Sequence, residues 1–127
     1  MSARFHSIGS IKLKMADIIF KEVLDVIVII SESGEVVDAN PSFRKIVGYS
    51  REEVVGKPLF FIQKGDYESI VQKVMAADSS PMDYWTELIT LTTKAGGLKK
   101  SRIKISKISD NHEGDTYYLC FFRIIPS

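Results

Sequence analysis

Apolar and polar positions along the chain change period several times, and each change marks an element. Residues 1–14 show neither a helical nor a strand period and no capping signature, which predicts a loose tail. From Met15 the spacing becomes three-and-four: Met15, Ile18, Ile19, Val23 and Val26 are apolar, and Glu22 is the polar member. This predicts an amphipathic helix over 15–25, flanked by Asp17 and Lys21. Val26-Ile27-Val28-Ile29-Ile30 is a continuous β-branched run that suits a strand covered on both faces. Ser31-Glu32-Ser33-Gly34 supplies turn chemistry and Glu35-Val36-Val37-Asp38 returns as a second strand, so a β-hairpin is expected.

Asn40-Pro41 then reads as a helix start, because Asn caps orphan amides and Pro fits the first turn. Phe43, Ile46 and Val47 share one face of that helix, which stops at Gly48. Ser50 with Glu53 three residues later is a capping-box signature for a single-turn helix ended by Gly56, and Lys57-Pro58 blocks continuation. Tyr67, Ile70, Val71, Val74 and Met75 predict a helix over 66–77, closed by Asp78-Ser79-Ser80-Pro81. The remainder reads as β: a strand over 84–93, a turn at Gly96-Gly97, and a strand with Lys100, Arg102 and Lys104 opposite Ser101, Ile103 and Ile105. A polar connection over 109–114 leads to a last strand over 116–125. Strands segregated from helices imply an α+β domain with a five-stranded antiparallel sheet. The expected division is a tail (1–14), a flanking helix (15–25) and the domain proper (26–127).

Composition narrows the functional classes. A length of 127 residues gives one ordinary domain and excludes a two-lobed enzyme. The net charge of +1 argues against a cationic nucleic-acid binder, and the longest aliphatic run is too short to insert in a membrane. Cys120, the single cysteine, excludes an internal disulfide and a Cys-based zinc site, and fits a reducing compartment. No signal peptide is apparent. A soluble cytoplasmic domain is the expectation.

The ordered residues from Val28 through Asp38 to Asn40-Pro41-Ser42-Phe43 resemble the opening of a PAS domain. Gly48-Tyr49-Ser50, Glu52, Glu53 and Gly56-Lys57 continue the likeness, and Trp85, Lys94-Ala95-Gly96 and Tyr117-Tyr118-Leu119 extend it over residues 16–125. The resemblance implies a PAS fold with strand order 2-1-5-4-3, short helices over one face and a small pocket between. It also implies sensing, dimerisation or relay within a signalling protein. By similarity to flavin-binding relatives, Tyr118, Cys120 and Phe122 face the pocket, and the same register turns Val28, Ile30, Trp85, Glu87, Ile89, Leu91, Ser101, Ile103 and Ile105 inward. Large side chains at these positions also suit a plain core, and Glu87 also suits a solvated strand end.

Particular cofactors are tested residue by residue. Gly56-Lys57-Pro58-Leu59-Phe60-Phe61-Ile62-Gln63 resembles the flavin-contacting segment of light-sensing LOV domains. Leu59 stands where those have the adduct-forming Cys, so a LOV-type FMN adduct is excluded there. Haem-binding relatives often supply an axial His from the helix before the long strands, and residues 66–78 contain none. His6 and His112 read as solvated, and no metal cluster is present. Trp85, Lys94 and Tyr117-Tyr118-Leu119 resemble FAD-binding PAS redox sensors, which makes FAD the best-defined alternative to a filled core without cofactor.

No catalytic triad, P-loop or carboxylate pair appears, so the expected protein is not an enzyme. Lys99, Lys100, Arg102, Lys104 and Lys107 are the one basic concentration and read as a solvated strand face. The helix face with Ile18, Ile19 and Val23 and the outward set Tyr117, Leu119 and Phe121 either cover each other or meet a second copy. A homodimer that acts on an output domain or a partner signalling protein is the leading expectation; a cofactor-binding redox or small-molecule sensor is the alternative.

Overall fold

A computed structural model describes residues 2–63, 65, 66, 68, 69, 72, 87–109 and 114–126. The elements are α1 (Ser2–Glu22), β1 (Val26–Ser31), β2 (Val36–Ala39), α2 (Pro41–Val47), α3 (Arg51–Val54), β3 (Glu87–Thr92), β4 (Leu98–Ser109) and β5 (Thr116–Ile124). The strands form one antiparallel sheet in the order β2-β1-β5-β4-β3. The expected α+β PAS architecture is the observed one.

Local chemistry accounts for the short elements. Asn40 caps α2 by accepting a hydrogen bond from the Phe43 amide at 3.3 Å. The same Oδ1 accepts from the Ile27 amide at 2.9 Å, while Nδ2 donates to the Asp25 carbonyl at 2.9 Å. One buried side chain therefore ties the first turn of α2 to the start of β1. Gly48 ends α2 at φ 95°, a left-handed position that favours glycine, and a Cβ there would lie 3.2 Å from that of Lys94. The Ser50–Glu53 capping box is complete in α3. That helix ends at Val54, two residues before Gly56, which instead donates its amide to the Val36 carbonyl at 2.8 Å.

Both edges of the sheet are covered by chain. Beyond β2, the Val36 amide also donates to the Lys57 carbonyl at 2.8 Å. Beyond β3, the Thr92 amide donates to the Phe61 carbonyl at 2.7 Å and the Gln63 amide to the Thr90 carbonyl at 3.1 Å. Between these edges the core is continuous, from Val26, Val28 and Ile30 through Phe43, Val47, Leu59 and Phe61 to Ile103, Cys120 and Phe122. The Phe43 and Phe61 rings meet edge to face at 4.8 Å.

Two expectations need correction. Residues 2–14, expected as a loose tail, are helical, and the helix expected over 15–25 ends at Glu22. From Ile11 onward most of the large apolar side chains of this helix are exposed, Ile11, Leu13, Met15, Ile18 and Ile19 among them, so it presents no buried stripe there for a period to mark. Of the helix expected over 66–77, residues 66, 68, 69 and 72 are described and helical; the others lie outside the described residues, as do Trp85 and the polar connection over 110–113.

Candidate functional site: the two faces of the sheet

The inner face is set by alternation. Val28, Ile30, Ile89, Leu91, Ser101, Ile103, Ile105, Tyr118, Cys120 and Phe122 are all buried. Register lines them up: Cys120 lies between Val28 and Ile105, Phe122 between Val26 and Ile103, and Ser101 between Ile89 and Ile124. Glu87 opens β3 opposite Ile103. Each large apolar side chain buried this way contributes about 1.5–3 kcal/mol relative to exposure, so the set is first of all the core.

Two groups on this face carry chemistry. Burial pushes the Cys120 thiol up to about 12, which leaves it neutral and unreactive at physiological pH. Leu59 is buried and apolar. The second group is the Ser101 hydroxyl, fully buried without a hydrogen-bond partner among the described residues. An orphaned buried hydroxyl costs about 1–3 kcal/mol, and that cost is removed by a water or a ligand atom.

On the outer face, Ile27, Ile29, Leu119, Phe121 and Tyr117 occupy the β1–β5 half, with Ile29 opposite Leu119 and Ile27 opposite Phe121. Tyr117, Leu119 and Phe121 are half-buried. The β3–β4 half carries Leu88, Lys100, Arg102 and Lys104. Arg102 lies directly opposite Arg123. Arg123 is held by the Asp25 carboxylate through Nε at 3.3 Å and Nη2 at 3.1 Å, a hydrogen-bonded pairing that raises its pKa. On α1, Ile11, Met15, Ile18 and Ile19 are 53–58% exposed, so this stripe and the outward strand residues do not cover each other within one subunit.

A further opening, of about 680 Å³, lies between α1 and the α2–α3 side of the domain, lined by Asp17, Phe20, Lys21, Asp38, Arg44 and Arg51 among others. Its charges are partly paired with each other, Lys21 with Asp17 at 3.0 Å and Arg51 with Asp38 at 2.7 Å. It is a solvated cleft that the sequence pattern did not foretell. Nearby, Glu53 accepts hydrogen bonds from Lys94 at 2.7 Å and from the Ser50 amide at 2.9 Å, and these hold its carboxyl down at about 2.

With this geometry in place, comparison with known proteins is decisive for the family. Residues 24–123 match the PAS domain family. The chain belongs to it. A solved PAS domain from Colwellia psychrerythraea superposes with a TM-score of 0.77 at 27% identity, over 89% of this chain and 96% of that one. The LOV domain of a blue-light activated histidine kinase from Erythrobacter litoralis shares the fold, with a TM-score of 0.65 at 18% identity over 84% of this chain and all of that one. Among curated proteins, Oxygen sensor protein DosP of Escherichia coli (strain K12) is 29% identical over 100 residues. That match takes in 76% of this chain and 12% of the length of that protein. PAS domains are generally sensory, non-catalytic modules of signal-transduction proteins, and this one has their sheet, helices and inner face. Among the described residues no helix is long and apolar enough to cross a membrane, and no cluster of metal-ligating side chains occurs.

Proposed function

We propose that this PAS domain is a non-catalytic sensory and dimerisation module that relays a signal through its outer sheet face and flanking helix. The observation that carries the reading is the uncovered apolar stripe of α1, Ile11, Met15, Ile18 and Ile19, together with the half-buried Tyr117, Leu119 and Phe121 on the outer face of β5. Apolar surface of this extent, arranged on two elements, is what a two-fold contact uses. Ile18, Ile19, Val23, Tyr117, Leu119 and Phe121 form the proposed interface. The recipient of the signal is an output domain or a separate signalling protein, and a reducing cytoplasmic setting suits the single buried thiol. Light scattering across a concentration series tests the contact: a dimer mass at high concentration is expected, and a monomer mass at every concentration contradicts it.

A second reading, a small-ligand or redox sensor, is favoured by the orphaned Ser101 hydroxyl. FAD is its best-defined candidate. The described inner face offers that hydroxyl amid aliphatic and aromatic side chains, which suits a small, weakly polar ligand better than the several polar edges of a flavin. Haem lacks the histidine it needs in residues 66–78. An absorption spectrum and a native mass spectrum of freshly purified protein decide the matter: colourless protein at the apoprotein mass removes this reading.

A further inference from the structure

Val23, Leu24 and Asp25 join α1 to β1, and this short junction is held from two sides. On the α2 side, the Ser42 hydroxyl donates to the Val23 carbonyl at 2.7 Å, and Asn40 Nδ2 donates to the Asp25 carbonyl at 2.9 Å. Asn40 and Ser42 are buried, and the next residue, Phe43, is packed in the core against Phe61. On the sheet side, Arg123 holds the Asp25 carboxylate through Nε and Nη2. The β1–β5 register, carried one residue beyond the Val26–Phe122 pair, sets Asp25 opposite Arg123, which in turn lies opposite Arg102. Like charges directly opposite are unfavourable, so withdrawing Asp25 leaves two guanidinium groups opposed without it. The Asp25–Arg123 pair is also partly exposed to solvent, and such pairs are weak enough to open.

We propose that residues 23–25 are the hinge of α1, steered by the start of α2 and held shut by the Asp25–Arg123 pair. A carbonyl and the amide that follows it form one rigid plane, so Ser42 and Asn40 fix the orientation of two peptide planes in the junction. A shift of Phe43 on the inner face moves those two donors, and with them the planes that aim α1. The rest of α1 offers little resistance. No described side chain of α1 belongs to the buried core, and Leu24 in the junction is 88% exposed. The opening of about 680 Å³ between α1 and the α2–α3 side leaves room for the helix to swing. Use of this hinge as a relay rests on the sensory function proposed above, whereas the hinge itself does not. Arg123 lies two positions from Phe121 on the same face of β5, so the clasp borders the proposed dimer contact, and the experiment has to separate the two.

The test is hydrogen exchange of the full chain, read by mass spectrometry over residues 19–25 and corrected for intrinsic rates, at two protein concentrations about a hundredfold apart. Asp25→Asn keeps the backbone carbonyl and removes the charge, and should speed exchange there about two- to fivefold. Ser42→Ala removes the hydroxyl that holds Val23 and should speed it up to about tenfold. Strand amides such as those of Val28 and Ile105 should keep their wild-type rates in both variants, which shows that the fold is intact. Phe43→Leu, a change on the inner face, should alter exchange over residues 19–25, and should do so less when combined with Ser42→Ala. All these effects should be the same at both concentrations, because a hinge acts within one chain. The proposal is overturned if Asp25→Asn and Ser42→Ala leave residues 19–25 unchanged or if the strands loosen as much as the junction. It is equally overturned if Phe43→Leu acts the same with and without the Ser42 hydroxyl, or if the effects occur only at the higher concentration, where self-association would be their source.

Discussion

The two faces of the sheet are built from the same strands, yet they answer different questions. Phe121 and Phe122 are neighbours in β5; Phe122 is fully buried between Val26 and Ile103, and Phe121 is half-buried between Ile27 and Lys104. Inner positions are constrained by packing, so their chemistry is nearly uniform and defines the fold. Several outer positions escape that constraint (Ile27 and Thr90, both buried, do not), so a contiguous apolar stripe there reports on contact with something else. Ser101 is the inner exception, a polar group where packing alone calls for none.

The contrast can be broken most forcefully at Phe121 and Phe122. Phe122→Ala should cost about 3–5 kcal/mol in urea denaturation, because a fully buried ring leaves a cavity. Phe121→Ala should cost less than half as much and should instead weaken self-association; equal destabilisation by the two would erase the distinction. Next in size is Asn40→Ala, expected to cost about 2–3 kcal/mol, as it removes a helix cap and strands the Ile27 amide and Asp25 carbonyl. The PAS Asn-Pro motif would thereby be shown to serve stability.

Smaller effects sharpen the picture at single groups. Glu53 titrates from its ordinary 4.5 down to about 2 in the folded chain. A depressed carboxylate pKa stabilises the fold above the unfolded value, and that stability is lost as pH falls through the folded one. Thermal melts should therefore show wild type losing its advantage over Glu53→Gln between about pH 4.5 and 2. Salt should shrink the effect, since the Lys94 pair is solvent-exposed. The smallest change expected is at Cys120: the native thiol should resist alkylation, with labelling that follows unfolding, whereas fast labelling of folded protein would place it in an open pocket.

Much of this was legible from local signals. The Asn40 cap, the Gly48 stop, the Ser50–Glu53 box and the alternation of β4 each have their cause within a few residues. The resemblance to PAS domains carried the strand order, which the structure shows, and of the residues it turned inward Val28, Ile30, Ile89, Leu91, Ser101, Ile103, Ile105, Tyr118, Cys120 and Phe122 are buried. The contacts that local patterns cannot announce are those between distant segments: Asn40 with Asp25 and Ile27, Lys94 with Glu53, Arg123 with Asp25 and Asp66 with the Thr90 amide. Each joins elements far apart in sequence, so no spacing encodes it. The length of α1 was hidden for another reason. In the sequence of its first half, Ser7, Gly9 and Ser10 dilute the helical signal, so no amphipathic period stands out there.

The central claim, that the uncovered outer surface meets a second copy, is tested most directly by sedimentation equilibrium of wild type beside Ile18→Glu/Ile19→Glu. These exposed positions on α1 contribute little to the core, so the double variant should keep the wild-type melting temperature. The account predicts a concentration-dependent dimer for wild type and a monomer for the variant. A wild-type chain that stays monomeric, or a variant that dimerises as tightly as wild type, would contradict it.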